Sequence, residues 1–253
     1  MTVSVVQSGE AGAAAGGGWN VTLGTPATAG NTLFYVVSGF HGSSITPSSS
    51  APTLGGSSVT GAALIASAVN SATSQVLTDI WMLPNIPGGQ TACSVTVTNS
   101  LQIDAVGLAV FEVAGLGATP AVDQAYPTPA PPATGNSGNL ANPNAAINSG
   151  TTGAITAAPE FVIGGGTSDQ GAAAGAAAFT SQAVGGNTNA WAGYQIPVIP
   201  GGTYTWAQTA AGNANWSAAV VTVKPPGGAP AAHAIPPGGG SSMFKRSMLW
   251  ADL

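Results

Sequence analysis

Eight carboxylates, two histidines and a single cysteine are the residues of this chain best suited to acid–base or metal chemistry. The acids are Glu10, Asp79, Asp104, Glu112, Asp123, Glu160, Asp169 and Asp252, and no two fall within four residues of each other. His41 follows a strand-like run in "SGFHGSS", and His233 sits in a Pro/Gly stretch. Metal sites need His, Cys or carboxylate ligands that converge, and nothing in the spacing groups them. A fold could still assemble Asp79 with Asp104 for glycoside hydrolysis, if they faced each other at about 5 Å or about 6.5–9.5 Å across a groove. Scattered acids at strand edges more commonly accept bonds from turn amides. No catalytic residue, metal or cofactor is therefore expected. Cys93, in "TACSVTV", reads as a small buried hydrophobe and has no second cysteine to pair with. The Gly-rich "AAAGGGWN" lacks the Lys and the helix of a phosphate loop.

The six tryptophans are the other functional candidates. Trp81, Trp191, Trp206 and Trp216 fall in strand patterns, where large aromatics fill the space between sheets. A sugar-binding sandwich would instead display flat aromatic faces. Trp19 and Trp191, each near an Asn in a Gly-rich setting, are the residues expected to be exposed for such a glycan contact.

What must position these residues is a set of strands. Helical periodicity is nearly absent, and short β-branched and aromatic runs alternate with Gly, Pro, Asn and Ser clusters. The runs expected as strands are 3–8, 19–23, 32–40, 62–69, 75–83, 93–98 and 104–113, then 160–165, 177–182, 191–198, 203–208 and 216–223. Along 104–113, Val106, Leu108 and Val110 share one side, and Ala105, Gly107, Ala109 and Phe111 the other. Both sides are apolar, so this strand should be covered on both faces, and 216–223 behaves alike.

Two stretches nearly repeat: "IWMLPNIPGG" (80–89) and "GYQIPVIPGG" (193–202), at an offset of 113 (193 − 80). Carried onward, that offset lays Val106, Leu108 and Val110 on Ala219, Val221 and Val223. Upstream, "LFYVVSG" (33–39) resembles "FVIGGGT" (161–167) at an offset of 128 (161 − 33). Pro presets φ and the following Gly supplies a positive φ, so each Pro-Gly-Gly should turn the chain between strands. The expected architecture is an all-β, jelly-roll-like β-sandwich over 1–224, built from two related halves (about 33–113 and 161–223). Two tandem domains of about 110 residues each are the alternative.

Charged residues are 4% of the chain, against roughly a quarter in ordinary soluble domains. The net charge of −5, with its acids dispersed, argues against a nucleic-acid partner. No run of about 18 apolar residues predicts a membrane helix. The start, "MTVSVVQSGEAG", has neither the basic nor the apolar region of a secretory signal. Residues 225–242, "PPGGAPAAHAIPPGGGSS", read as an extended linker. The closing 243–253, "MFKRSMLWADL", gathers Met243, Phe244, Met248, Leu249 and Trp250 around Lys245 and Arg246. Such a tethered apolar peptide is expected to dock, on a partner or back on its own sandwich.

The ordered set "GNTLFYVVSGF", "LTDIWMLPNIPGG", "DAVGLAVFEVAG", "PEFVIGGG", "WAGYQIPVIPGGTYTW" and "NWSAAVVTVKP" resembles Gly/Ala-rich β-sandwich virion proteins of tailed phages, especially those of actinobacteria. The resemblance spans about residues 3–225. It implies a non-enzymatic virion component, most often a minor tail protein, assembled in the host cytoplasm. A capsid decoration protein and a glycan-binding surface module are the alternatives it leaves. The implied partners are other virion proteins, further copies of the chain and a host-surface glycan, with no nucleic acid and no membrane. No catalytic residue carries over.

Overall fold

A computed structural model describes residues 2–13, 18–41, 48–70, 75–98, 105–126, 133–140, 146–170, 175–185 and 187–227. Most of the linker and the whole of the 243–253 peptide lie outside the described residues. Every regular element described is a strand. The first ten are β1 (Ser4–Ala13), β2 (Gly18–Thr22), β3 (Thr32–His41), β4 (Ser48–Ser49), β5 (Thr53–Leu54), β6 (Ser57–Ser58), β7 (Ala63–Asn70), β8 (Gln75–Leu83), β9 (Ala92–Thr98) and β10 (Ala105–Ala114). The rest are β11 (Ala121–Ala125), β12 (Ala133–Thr134), β13 (Asn136–Leu140), β14 (Ala146–Thr151), β15 (Phe161–Ser168), β16 (Thr180–Val184), β17 (Asn187–Gln195), β18 (Thr205–Thr209) and β19 (Ala214–Lys224).

The strands stack in four layers. One large sheet runs β1-β10-β3-β8-β7-β12, and the other runs β11-β19-β15-β17-β16, with β13 also on β19. Without β12 and β13 the two orders match strand for strand: β1 with β11, β10 with β19, β3 with β15, β8 with β17, and β7 with β16. A small sheet, β2-β9-β5-β6, covers the outside of the first, and the β14-β18 pair covers the outside of the second. All the pairings are antiparallel except β12 on β7. The chain is thus a β-sandwich built from two related halves.

Three apolar cores separate the layers. Phe34, Val36, Ile80 and Phe111 meet Phe161, Ile163, Val221 and Val223 in the central core between the large sheets. Trp19, Val21, Tyr35, Cys93 and Val110 fill the first outer core. Ile147, Val162, Trp206, Trp216 and Val220 fill the second. The expectation for the closing strands holds: Leu108 and Val110 face outward while Ala109 and Phe111 face the central core. On β19, Ala218 and Val220 face outward and Ala219, Val221 and Val223 inward.

The register of the repeat differs from the sequence offset. β1 and β11 carry the same bulge: Val5 pairs with Val113 and Gln7 with Glu112, and Val122 pairs with Val223 and Gln124 with Thr222. Val113 therefore corresponds to Val223, an offset of 110 (223 − 113) rather than 113. The three-residue error exchanges the faces, because Leu108 and Val110 belong to an outer core and Val221 and Val223 to the central one. The turns account for one residue of the three. Gly89 (φ 88°) donates its N–H to Ala27 O at 2.9 Å, and Gly201 (φ 92°) donates to Ile155 O at 3.0 Å. Gly89 is thus the counterpart of Gly201, not of Gly202, because the second loop is one residue longer (196–204 against 84–91).

Both turns lie at one end of the molecule. Leu33 pairs with Leu83, Thr32 with Val113 and Ser4 with Ala114. In the second half Phe161 pairs with Val223, Val162 with Gln195 and Ala121 with Lys224. The Phe34 and Phe161 rings, 4.7 Å apart, bring these two strand ends together across the central core. Thr2 and the exit at Gly227 share that end.

Candidate functional site

The carboxylates at the turn end are occupied in holding loops. Glu112, fully buried on β10, accepts from Gln7 Nε2 at 2.6 Å, Thr28 N at 2.8 Å and Asn31 Nδ2 at 2.6 Å. Burial pushes its pKa up, but these donors prevail and hold it below the ordinary glutamate range. In the second half Asp123 does the same work from the β11 bulge, where the first half has Val6. It accepts from Thr156 N at 2.7 Å, Thr156 Oγ1 at 2.5 Å and Lys224 Nζ at 2.6 Å. Against the upward push of burial, Lys224 and Thr156 bring its pKa down to about 2. Two halves thus fix equivalent loops with acids from different strands.

Beside Asp123, Glu160 is fully buried and accepts the Ala157 N–H at 3.0 Å, with Thr222 and Asp123 facing its carboxyl. Burial raises its pKa to about 7 and the Asp123 charge adds to the rise, against the Ala157 bond. Asp169 accepts from Asn215 N at 2.9 Å and Nδ2 at 2.7 Å, tying β15 to β19. Asp79 accepts from the Ser49 hydroxyl, which in turn accepts Trp81 Nε1–H at 2.8 Å. Burial raises the Asp79 pKa. Its sequence-expected partner Asp104 lies outside the described residues, as does the side chain of His41. Among the described residues no three His, Cys, Asp or Glu side chains come together to hold a metal.

The aromatic candidates part company. Trp19 is 3% exposed and packed in the first outer core, so the exposure expected of it for a glycan contact does not occur. Its neighbours on the alternating strand β2, Gly18 and Asn20, take the solvent face instead. Trp191 is half-buried against the second outer core, with its Nε1 enclosed. Trp206 and Trp216 fill the core, as their strand positions predict. Cys93 is fully buried, and desolvation raises its thiol pKa.

A feature with no single motif sits at the turn end. An open groove of about 790 Å³ lies between the β8–β9 turn, the residues after β6, and the 118–120 segment that leads into β11. Val59, Met82, Pro84, Ile86, Pro87 and Pro120 give it apolar walls, and none of its lining residues is ionisable. Beyond it, Val198 and Ile199 stand 77% and 72% exposed in the β17–β18 loop, and Val6 is 48% exposed at the β1 bulge. Among the described residues these are the exposed large apolar side chains, and all three are at this end. Four separate segments build the groove, so no local spacing announced it. The Pro-Gly-Gly repeat was the one signal pointing there.

No family model, curated protein or solved structure matches the chain. Among the described residues no helix is long and apolar enough to cross a membrane.

Proposed function

We propose that this chain is a non-enzymatic structural protein of a tailed-phage virion, a minor tail or tail-tip component attached through its C-terminal peptide, Met243 to Leu253. The observation that carries the reading is the concentration of apolar surface at the end from which the tail departs. The groove, Val198, Ile199 and the chain exit at Gly227 share it. Apolar patches of this kind mark contact with other proteins. The acids that could serve catalysis are instead committed to loops and strand ends, as at Glu112, Asp123 and Asp169. The resemblance of strands 3–225 to phage β-sandwich proteins supplies the virion context. Burial of Trp19 counts against the glycan-binding module.

The test compares the full chain with one ending at Lys224, each supplied to a phage lacking its own copy. Full-length protein should co-sediment with particles through a density gradient. The shortened chain should still unfold in one cooperative transition yet stay out of the particle fraction. Absence of the full-length chain from particles would overturn the proposal, and incorporation of the shortened chain would remove the peptide's role.

A further inference from the structure

We infer that in the free subunit the turn-end groove is filled by residues 243–253 of the same chain. This rests on reading 243–253 as a docking peptide, and not on the virion being its final partner. The Pro226 ring lies against Gly117, where an added β-carbon would stand 3.1 Å from Pro226 Cγ and Cδ. Gly117 (φ 73°) leads directly into Ala118, Thr119 and Pro120, which form one wall of the groove. The tail therefore leaves the sandwich at the groove's rim.

Residues 228–242 separate that rim from the peptide, 15 residues rich in Pro, Gly and Ser. By the relation for Gly/Ser linkers, 15 residues span about 20 Å root-mean-square, enough to return to the mouth they started from. Tethering of this kind gives an effective concentration of order millimolar, well above that of a second subunit in dilute solution. Chain connectivity thus favours the tail's own groove over a neighbour's.

Met243, Phe244, Met248, Leu249 and Trp250 offer flexible and aromatic side chains, which adapt to irregular apolar clefts. The groove offers proline faces, Val59, Met82 and Ile86, with no charge to bury. Its volume of about 790 Å³ is comparable to that of ligand-binding clefts, though it is open on one side. At i, i+4 and i, i+7 spacing, Phe244 with Met248 and Met243 with Trp250 can share one face, as a helix in a groove requires.

The experiment uses the full chain with a photo-crosslinking benzoylphenylalanine in place of Trp250. An equal mixture of ¹⁵N-labelled and unlabelled protein is irradiated, and the crosslinked peptides are mapped by mass spectrometry. Crosslinks to 58–61, 84–87 or 118–120, with both peptides carrying the same isotope, are expected. Mixed-isotope crosslinks would assign the groove to a second copy and overturn the inference, as would crosslinks elsewhere or none. Thr60→Trp, at an exposed lining position, fills the groove without touching a core. It should lower the crosslink yield at least about tenfold while the protein still unfolds in one cooperative transition. An unchanged yield in that variant would equally overturn the inference.

Discussion

At Glu160 burial opposes ionisation, the neighbouring Asp123 charge adds to that opposition, and bonds from the Ala157 amide and the Thr222 hydroxyl work the other way. Its folded pKa of about 7 lies above the ordinary value of 4.5, so between these the unfolded chain loses a proton that the folded chain keeps. Stability from this group is full below about pH 4.5 and is lost as pH rises through 7, a change of about 1–3 kcal/mol. Asp123 acts in the opposite sense. Its folded pKa of about 2 preserves a contribution above about pH 4 that disappears as pH falls toward 2. Glu160→Gln keeps the acceptor for Ala157 and removes the titration. Chemical unfolding at about pH 5 and about pH 8 should show the parent losing stability with rising pH and the variant losing little. A parallel loss in the variant would show that Glu160 is not its source. The sequence placed these acids as solitary strand-edge groups, and that much was legible. Which loop an acid holds depends on pairings distant in the chain, 33 residues from Asp123 to Thr156 and 81 from Glu112 to Asn31, and no local pattern encodes them.

The three glycines at 164–166 explain how β15 can be buried on both faces. A β-carbon at Gly164 would lie 2.9 Å from Trp206 Cε3, one at Gly166 would lie 2.8 Å from Trp206 Nε1, and one at Gly165 would lie 2.6 Å from Val36 Cγ1. The missing side chains let the Trp206 indole lie on the sheet, where its Nε1–H donates to Gln208 Oε1 at 2.7 Å. Gly164→Val should force that ring outward and cost about 1–3 kcal/mol. Trp206→Ala, which empties the site, should cost about 3–5 kcal/mol. Denaturant midpoints measure both, and a neutral Gly164→Val would contradict the packing argument. All twelve runs expected from the sequence overlap strands, the loosest being 177–182, where β16 begins only at Thr180, because their β-branched and aromatic residues fit a pleated surface covered on one or both sides. The strands that escaped notice, such as β13 ("NSGNL") and β14 ("AINSGT"), are made of residues usually poor in strands. Their pairing comes from β19 and β18, not from local preference. The one-residue difference between the two Pro-Gly-Gly loops accounts for one residue of the register slip, because the motif matched while the hydrogen-bonded glycine had moved; the other two arise between that turn and the closing strand.

In the whole molecule the central core joins the halves, since neither large sheet has another cover for its inner face. Phe34, Val36 and Phe111 from one half and Phe161, Ile163 and Val221 from the other are each at most 1% exposed. Buried threonine and serine hydroxyls cross the same interface, with Thr78 Oγ1 at 2.9 Å from Thr167 Oγ1 and 2.8 Å from Ser217 Oγ. A single cooperative thermal transition is expected for the full chain, with calorimetric and van't Hoff enthalpies in agreement. Residues 1–115 alone should lack a sharp transition, and one in that fragment would mean that each half folds independently. The repeated strand order and the doubly covered closing strands were foreseeable from apolar runs; the groove, assembled from distant turns, was not. Its place beside the exit of the tail is what turns a quiet, sparsely charged sandwich into a candidate assembly component. The most direct measurement is immunogold electron microscopy of particles released by the host that carries this gene. Label at a fixed point on the tail is the predicted result, and particles that remain unlabelled while label decorates cells would contradict the account.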